Sequence, residues 1–279
     1  MLEEFSLKSL ETLAHSWIIV FWPENNFAEL NLSNVQGLLN TIEQFSNISK
    51  LEIGYAQQMS IHSINSLKKI SKSCKKINCL IVEVPAFENN IEIKNSIISI
   101  INAQEQLKEF SLSYVESWIE EIIKALQPQA NLLISIKLEC ANISASFLSS
   151  LAECKNLENL VILNNSALNI LRGNFEFKNL KNLYIRRPLI FNIKMPNLKE
   201  LTLEALKQEV MPFIIENCPN ISHLILNNYR PSPHNKILKD LFQKLHITHL
   251  TIKFLYKKSI ISETSILSKE LLPTSLNCL

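Results

Sequence analysis

Apolar residues recur along this chain in a six-residue pattern: apolar, two variable residues, apolar, one variable residue, apolar. Its most regular form is L-x-x-L-x-L. Successive copies start 18 to 30 residues apart. A core that returns at such intervals predicts about ten to eleven similar structural units in a row. The clear copies begin at Leu107, Leu133, Leu157, Leu180, Leu198, Ile221 and Ile247, and weaker ones at Leu2, Phe27, Ile48 and Ile77.

Each copy predicts a short strand, because alternate side chains of a strand face the same side and are buried together. Between copies, helical spacing of apolar residues appears in segments 35–45, 64–74, 118–126, 147–154, 210–218 and 237–245. Strands and helices in alternation predict parallel strands with right-handed crossovers. We therefore expect an α/β fold, a right-handed leucine-rich-repeat solenoid or horseshoe, with parallel strands on the concave face and helices on the convex face. Segments 174–179 and 188–196 predict returns with little helix.

The repeats predict one continuous array over residues 1–279. The first core begins at Leu2, which leaves no room for the polar cap that a terminal repeat normally needs. At the other end, Leu276 to Leu279 reads as the opening L-x-x-L of a further unit. We therefore expect an array that is truncated at both ends and derives from a longer protein.

Composition excludes several classes of function. The 47% apolar content predicts a folded body, and 28 basic against 26 acidic residues do not indicate a nucleic-acid binder. Three scattered glycines cannot form a phosphate-binding loop. The sequence shows neither a secretory signal nor a membrane-spanning run, so we expect an intracellular protein, cytoplasmic or nuclear, without contact to a membrane. We also expect no cofactor and no metal site.

Segment 136–163 has cysteines at Cys140 and Cys154, Ile143 three residues after the first cysteine, and the spaced leucine pairs Leu148/Leu151 and Leu157/Leu160. In these features it resembles the cysteine-containing leucine-rich repeats of F-box proteins. It departs from that pattern in having one residue between Leu138 and Cys140 instead of two, and Ser144-Ala145 in place of Thr-Asp. Two further cysteines, Cys74 and Cys218, stand like Cys154 three residues before a core, where a small buried thiol packs a helix end against the next strand. The matching residues are Cys140, Ile143, Leu148, Leu151, Ala152, Cys154, Leu157 and Leu160.

This resemblance implies a non-catalytic scaffold that recognises the substrate of an F-box-type ubiquitin ligase. In that family a separate F-box docks the cullin adaptor, and no F-box is visible in this sequence. A cullin adaptor is therefore expected as a partner only if an F-box lies upstream. Two alternatives remain: a stand-alone interaction or inhibitor protein of the ribonuclease-inhibitor type, and an enzyme whose catalytic domain lies outside this chain.

The third, fifth and seventh positions of each copy face away from the core, so they predict the protein-binding wall. Eight glutamates against five lysines or arginines at these positions disfavour a phosphate-binding track. An aromatic side chain among apolar and charged neighbours is typical of a protein contact, although strands also favour such residues without any partner. The residues predicted to contact the partner are Lys137, Glu139, Val161, Leu163, Tyr184, Arg186, Glu200, Glu204, His223, Ile225, His249 and Lys253.

Three of these residues share the third position of successive units: Glu200, His223 and His249. Stacked strands would place them about 5 Å apart. Such a row is compatible with a pH-sensitive contact or with a solvated row of polar side chains. Cys74, Cys154 and Cys218 have no identifiable base partner, and apolar neighbours at a helix end are expected to bury them, so we expect no catalytic residues.

Overall fold

The structure is a computed structural model that describes residues 17–20, 49–53, 61–83, 90–113, 118–139, 144–163, 170–186, 190–204, 210–229, 241–254 and 277–278. The chain separates into two compact units, Met1–Cys140 and Ala141–Leu279, and the described strands within each unit pair in parallel. The predicted cores at Leu2 and Phe27 and the predicted helix 35–45 lie outside the described residues. The single continuous array stays a prediction.

Among its described residues, the first unit has five parallel strands in chain order. They are β1 (Trp17–Val20), β2 (Lys50–Ile53), β3 (Cys79–Glu83), β4 (Glu109–Ser113) and β5 (Ser135–Glu139). The described returns between them are helical: α1 (Ile61–Ser73), α2 (Ile91–Asn102) and α3 (Ile119–Leu126), the last continued by a 3₁₀ turn at Gln127–Gln129.

The second unit contains a parallel sheet in the order β6, β8, β10, β11, β12, β13, while β7 and β9 pair in a separate parallel sheet. Its helices are α4 (Ala145–Ala152), α5 (Met211–Asn217) and a helical stretch at 241–244. The strands are β6 (Asn159–Ile162), β7 (Ile170–Glu176), β8 (Asn182–Ile185), β9 (Ile190–Lys194), β10 (Glu200–Leu203), β11 (His223–Tyr229), β12 (His249–Phe254) and β13 (Asn277–Cys278).

The repeated apolar pattern forms the core in both units. In the copies beginning at Ile77, Leu107, Leu133, Leu157, Leu180, Leu198 and Ile221, all three apolar residues are buried. In the copy at Ile247 only Ile252 is half-buried. This burial confirms the predicted strands and their inward face. The result is a mixed α/β fold of parallel strands and return segments, similar to a leucine-rich-repeat solenoid.

The first unit corrects two predictions. Strand β2 pairs with β1 on one side and with β3 on the other, so its neighbour is Trp17–Val20 and not a strand at Phe27. The L-x-x-L-x-L pattern does not predict β1, because its sequence WIIV contains no leucine. In addition, the polar His15 occupies the first position of the pattern, which is apolar in the other copies. Helix α2 was also missed, since its isoleucines favour strands by propensity.

The sequence nevertheless contains the signals of α2. Its buried residues have helical spacing, at Ile93, Ser96, Ile97, Ile100 and Ile101. Asn90 caps the helix, because its side-chain oxygen accepts hydrogen bonds from the backbone N–H groups of Glu92 and Ile93. A period of 3.6 residues combined with an asparagine cap therefore identifies this helix despite its β-branched residues.

Other predicted elements agree with the structure within a few residues. Helices α1, α3, α4 and α5 lie where helical spacing predicts them, and the returns poor in helix contain the strands β7 and β9. Strand β13 confirms a further strand at the end of the sequence, but in a register shifted by one residue. Cys278 pairs with Leu250, whereas the L-x-x-L reading places Leu279 at that position.

Side-chain amides connect neighbouring repeats of the second unit at the turns that precede the strands. Asn179, Asn197 and Asn220 each precede the first apolar residue of a copy. Each donates a hydrogen bond to a backbone carbonyl of the preceding repeat. The acceptors are the carbonyls of Lys155, Lys178 and Pro196, each at 2.7 Å. This asparagine ladder pairs carbonyls that the turns leave without a strand partner.

Gln104 makes a corresponding connection in the buried part of the first unit, where it stands in place of the cysteine found at Cys74. Its Oε1 accepts from Ile77 N–H at 2.9 Å, and its Nε2 donates to the carbonyls of Cys74 and Ile100 at 2.9 and 2.7 Å. A buried amide with three satisfied bonds fixes the end of α2 against β3 and the turn after α1.

Candidate protein-binding surface

In each unit, the third, fifth and seventh positions of the described copies form a surface that we call the open face of that unit. All twelve residues predicted to contact a partner lie on these faces, and each is half-buried or exposed. Lys137 and Glu139 belong to the first unit, and the other ten belong to the second. Their placement agrees with the sequence analysis, while binding by them stays a prediction.

A hydrogen-bonded cluster occupies the open face at β8 and β10. The Tyr184 hydroxyl donates to Glu204 Oε1 at 2.6 Å, and Arg186 Nε donates to Glu204 Oε2 at 3.0 Å. Burial, followed by the hydrogen bond and the charge of Glu204, raises the pKa of Tyr184 to about 12. One carboxylate thus holds an aromatic and a guanidinium side chain in a fixed arrangement.

Apolar and small side chains continue this cluster along the fifth position. Val161, Tyr184, Thr202 and Ile225 are register partners on successive strands β6, β8, β10 and β11. Thr202 is buried although its position predicts exposure. Its larger neighbours Tyr184 and Ile225 flank it on both sides and cover it. The surface is therefore better packed at its centre than the sequence predicts.

The imidazole rings of His223 and His249 stack on the open face. Their centroids lie 4.2 Å apart and their planes are inclined by 3°. The register pairs Glu200 with His223 and His223 with His249, which confirms the predicted row. Each ring Nδ1 lies 2.9 Å from the hydroxyl oxygen of the preceding residue, Ser222 or Thr248.

This arrangement is unsuited to chelating a metal. Lone pairs of imidazole lie in the ring plane, so two parallel stacked rings direct them side by side and not toward one point. In the described ranges, no three His, Cys, Asp or Glu residues come together in a way that could hold a metal ion. Nor does any helix of those ranges have the length and apolarity needed to cross a membrane.

The thiols near the helix ends are buried. Burial raises the pKa of Cys74 to about 11 and the pKa values of Cys154 and Cys218 to about 12. A thiol with so high a pKa contains little thiolate at neutral pH and is a poor nucleophile. These three cysteines pack the core, as their positions before each strand predict.

Cys79 lies half-buried on the open face of the first unit, where β3 pairs with β4. Its pKa is raised to about 11 by burial first and then by the charge and hydrogen bond of Glu109. The neighbouring residues at the third position, Lys50 and Glu109, have opposite charges. The open face of this unit therefore carries charges of both signs and has no aromatic anchor among its described side chains.

The repeat pattern places Asn227 on the wall, at the seventh position of the copy that begins at Ile221, but the sequence analysis selects neither Asn227 nor Asn228 as a contact residue. Strand β11 contains an irregularity between Asn227 and Tyr229, and Asn228 has a positive φ of 56°. Asparagine tolerates this conformation better than most residues, so the Asn-Asn pair was the available signal. Asn227 Oδ1 is buried and accepts no hydrogen bond from the described residues.

Comparisons with known proteins assign no family. No protein-family model matches the sequence, and no curated protein matches it. Among solved structures, the chain is similar to a chain of the crystal structure of the Rad7 and Elc1 complex in yeast, with 13% sequence identity and a TM-score of 0.36. The match covers 86% of this chain and 77% of that chain. At these values the likeness does not bear on the partner or activity of this chain.

Proposed function

We propose that this protein is a non-catalytic scaffold that binds another protein through the open face of its second unit. The observation that supports the proposal most strongly is the cluster in which Glu204 holds both Tyr184 and Arg186. Tyrosine and arginine are enriched among the residues that dominate binding energy at protein interfaces. Half-exposed Val161 and Ile225 supply the apolar surroundings that such residues need.

The cluster is also ordered before any partner arrives. Immobilising a flexible side chain on binding costs about 0.5 to 1.5 kcal/mol. Hydrogen bonds to Glu204 already restrict both side chains in the free protein, so much of this cost is absent when a partner binds. A fixed aromatic ring beside a fixed guanidinium favours a specific partner over nonspecific adhesion.

The charges of this surface favour a protein over a nucleic acid. Arg186 is paired with Glu204, and the exposed Lys253 is the other basic residue among the ten predicted contacts of the second unit. Binding to a phosphate backbone needs a run of cations that neutralise several phosphates. A mixed, nearly neutral surface with an aromatic centre is better suited to a polypeptide.

More specifically, we propose that the array is the substrate-recognition part of an F-box-type ubiquitin ligase receptor. On this proposal the parallel strands form the concave wall of a right-handed horseshoe. Support comes from the resemblance of segment 136–163 to cysteine-containing repeats and from the burial of Cys154, Leu157 and Leu160 at the positions of that pattern. The alternative is a stand-alone interaction or inhibitor protein of the ribonuclease-inhibitor type.

Affinity capture with quantitative mass spectrometry tests the binding surface. The bait is the chain itself, the double variant Tyr184→Ala/Arg186→Ala, or the control Glu216→Ala/Lys244→Ala, whose residues are exposed on α5 and at 241–244. We expect at least one protein to be retained by the chain and the control and lost by the cluster variant. Equal retention by all three baits would contradict the proposal.

A second experiment separates the ligase receptor from the stand-alone binder. The natural gene product is expressed from its own locus with a tag, and cullin and its adaptor are measured in the precipitate. Recovery of both supports the ligase receptor. Their absence, together with a partner that still depends on Tyr184, supports the stand-alone binder.

A further inference from the structure

The first unit carries a concentration of positive charge on α1 and on the turn that follows this helix. Residues 53–82 contain five lysines and no arginine, aspartate or glutamate. When these five are set aside, 23 of the 28 basic residues remain against 26 acidic ones, so the net charge of +2 depends on this one segment. The five residues, which we call the lysine patch, are Lys68, Lys69, Lys72, Lys75 and Lys76.

All five lysines are exposed, and three of them share one side of α1. Each residue turns a helix by about 100°, so Lys68, Lys69 and Lys72 lie within an arc of about 100°. The core packs against the opposite side, where the buried residues are Ile64, Leu67 and Ile70. Lys75 and Lys76 follow directly after the helix. The patch thus occupies the last two turns of α1 and the residues that continue from them.

The charge of the patch is not neutralised by the described side chains around it. Glu105 lies nearby in the next turn, because its N–H donates to the carbonyl of Lys75 at 3.1 Å. The Glu105 side chain is exposed and forms no ion pair with Lys75. The lysines that form no ion pair within the described ranges are Lys68, Lys69, Lys72 and Lys75.

The stability of α1 does not account for the patch. The negative end of the helix dipole favours a cation in the last turn, which is the position of Lys72. Lys68 and Lys69 lie one turn earlier, where this effect has faded. Like charges three or four residues apart repel each other on a helix, and this applies to both of them with Lys72. An anionic partner would remove this repulsion.

We propose that the lysine patch binds a short acidic segment of another polypeptide. From Lys68 to Lys76 the backbone extends less than about 20 Å, which about six residues of extended chain can cover. This sequence contains at most two acidic residues in succession, as at Glu120-Glu121, so a partner has to supply a longer acidic run. The patch belongs to the first unit, and the inference does not depend on the function proposed for the second.

Neighbouring charges favour a short peptide over a nucleic acid. The segments after the patch expose carboxylates at Glu92, Glu105, Glu120 and Glu121. Phosphates follow one another along the whole length of a nucleic acid, so a strand that continues past the patch meets these carboxylates. A peptide can change its charge there. Residues 61–83 also contain no arginine, tyrosine, phenylalanine or tryptophan, the side chains on which unpaired bases commonly stack.

A lipid surface matches the patch less well than an acidic peptide. A helix that lies on a bilayer inserts an apolar face between the lipids. In α1 the described apolar side chains are buried in the core and cannot do so. Attachment to a membrane would therefore depend on the lysines alone.

Fluorescence anisotropy with defined peptides tests the inference in the intact chain. The probes are a fluorescein-labelled peptide of six glutamates and a matched peptide of six glutamines, at about pH 7.5 and about 0.15 M salt. We expect saturable binding of the glutamate peptide and at least roughly tenfold weaker binding of the glutamine peptide. Equal binding of the two peptides, or no binding of the glutamate peptide, would overturn the inference.

Two triple variants with the same loss of charge locate the site. Lys68→Gln/Lys69→Gln/Lys72→Gln should weaken binding of the glutamate peptide by roughly tenfold. The control, which should change binding by less than roughly twofold, replaces exposed lysines of the second unit: Lys155→Gln/Lys199→Gln/Lys244→Gln. Circular dichroism checks that both variants fold. An equal loss of binding in both variants would show that only net charge matters and would overturn the site.

Cross-linking and two further probes identify the contact and the kind of ligand. Carbodiimide joins a bound glutamate to a touching lysine, and peptide mapping should find the product at the lysine patch. A product found mainly at other lysines would contradict the proposed site. The further probes are a labelled thymidine oligonucleotide and vesicles with about 30% phosphatidylserine. If either binds through the patch more tightly than the glutamate peptide, the acidic polypeptide is the wrong ligand.

Discussion

Tyr184 and Glu204 are joined by a hydrogen bond of 2.6 Å between the phenol hydroxyl and Oε1. Tyr184 lies on β8 and Glu204 directly follows β10; these two strands are neighbours in the sheet, although β9 lies between them in sequence. Glu204 holds Arg186 through its other oxygen. The centre of the open face of the second unit is therefore organised by a contact between neighbouring repeats, and its geometry depends on correct stacking of those repeats.

Replacing Glu204 by glutamine should lower the pKa of Tyr184 below about 12 without restoring its ordinary value of 10.0, because burial is the largest cause of the shift and remains. Each protein and its Tyr184→Phe counterpart are titrated with base while ultraviolet absorbance is recorded. The difference between the two curves is the absorbance of Tyr184, and its midpoint gives the pKa of Tyr184. An unchanged pKa in Glu204→Gln would contradict the role of the carboxylate.

The raised pKa also predicts a pH dependence of stability. Between about pH 10 and about pH 12, the phenol ionises in the unfolded chain while it stays protonated in the folded one. The stabilisation associated with Tyr184 is fully present below pH 10 and is lost as pH rises through about 12. Urea unfolding should show this loss for the chain and a smaller one for Tyr184→Phe.

Gln104 and Gln106 provide a matched pair for testing the buried amide of Gln104, which connects neighbouring repeats of the first unit. Gln104→Leu removes the partners of the buried Ile77 N–H and Cys74 carbonyl, so we expect a loss of about 3 kcal/mol in the free energy of unfolding. Gln106→Leu removes one exposed bond, to the carbonyl of Lys76, and should cost about 1 kcal/mol. Equal effects in urea unfolding would show that the buried amide is not specially required.

Each hydrogen bond of the asparagine ladder should contribute separately to the free energy of unfolding. Asn197→Ala removes the bond to the carbonyl of Lys178, with an expected cost of about 1 kcal/mol. Asn102, exposed at the end of α2, is the control, and its replacement by alanine should change stability by less than about 0.5 kcal/mol. Thermal unfolding that ranks the two variants in the opposite order would contradict the ladder.

Cysteine labelling tests the assignment of the thiols to packing. Cys74, Cys154 and Cys218 should react with iodoacetamide at pH 8 only after unfolding, because burial both covers them and raises their pKa values. Cys79 should react slowly, and faster in Glu109→Gln, since the charge of Glu109 contributes to its raised pKa. Peptide mapping by mass spectrometry locates the label, and rapid native labelling of Cys154 or Cys218 would contradict the packing role.

The repeat made most of the fold predictable from the sequence. Leu107, Phe110 and Leu112 and their counterparts are buried because a period-2 pattern repeated at near-constant intervals has few other solutions. The repeat pattern did not predict β1, because this segment lacks leucine and the first apolar residue. It forms a strand through its pairing with β2. Helix α2 was not predicted, because an isoleucine-rich segment has strand propensity. Packing and the Asn90 cap override this propensity and stabilise the helix.

The candidate site was predictable as a surface but not as a network. Alternation along each strand places Tyr184, Arg186 and Glu204 on the same face, and the register places His223 against His249. That Glu204 serves both Tyr184 and Arg186 depends on the stagger between strands and on side-chain rotamers, which the sequence does not specify. The burial of Thr202 depends in the same way on the size of its neighbours.

Binding of a protein by the open face of the second unit is measured by the dissociation constant of the captured partner. The purified partner is titrated by calorimetry against the chain, Tyr184→Ala and the Glu216→Ala control, with equal folding of all three checked by circular dichroism. We expect Tyr184→Ala to weaken binding by about 2 kcal/mol, roughly thirtyfold, and the control to bind like the unaltered chain. A dissociation constant unchanged by Tyr184→Ala, or raised only by Glu216→Ala, would contradict it.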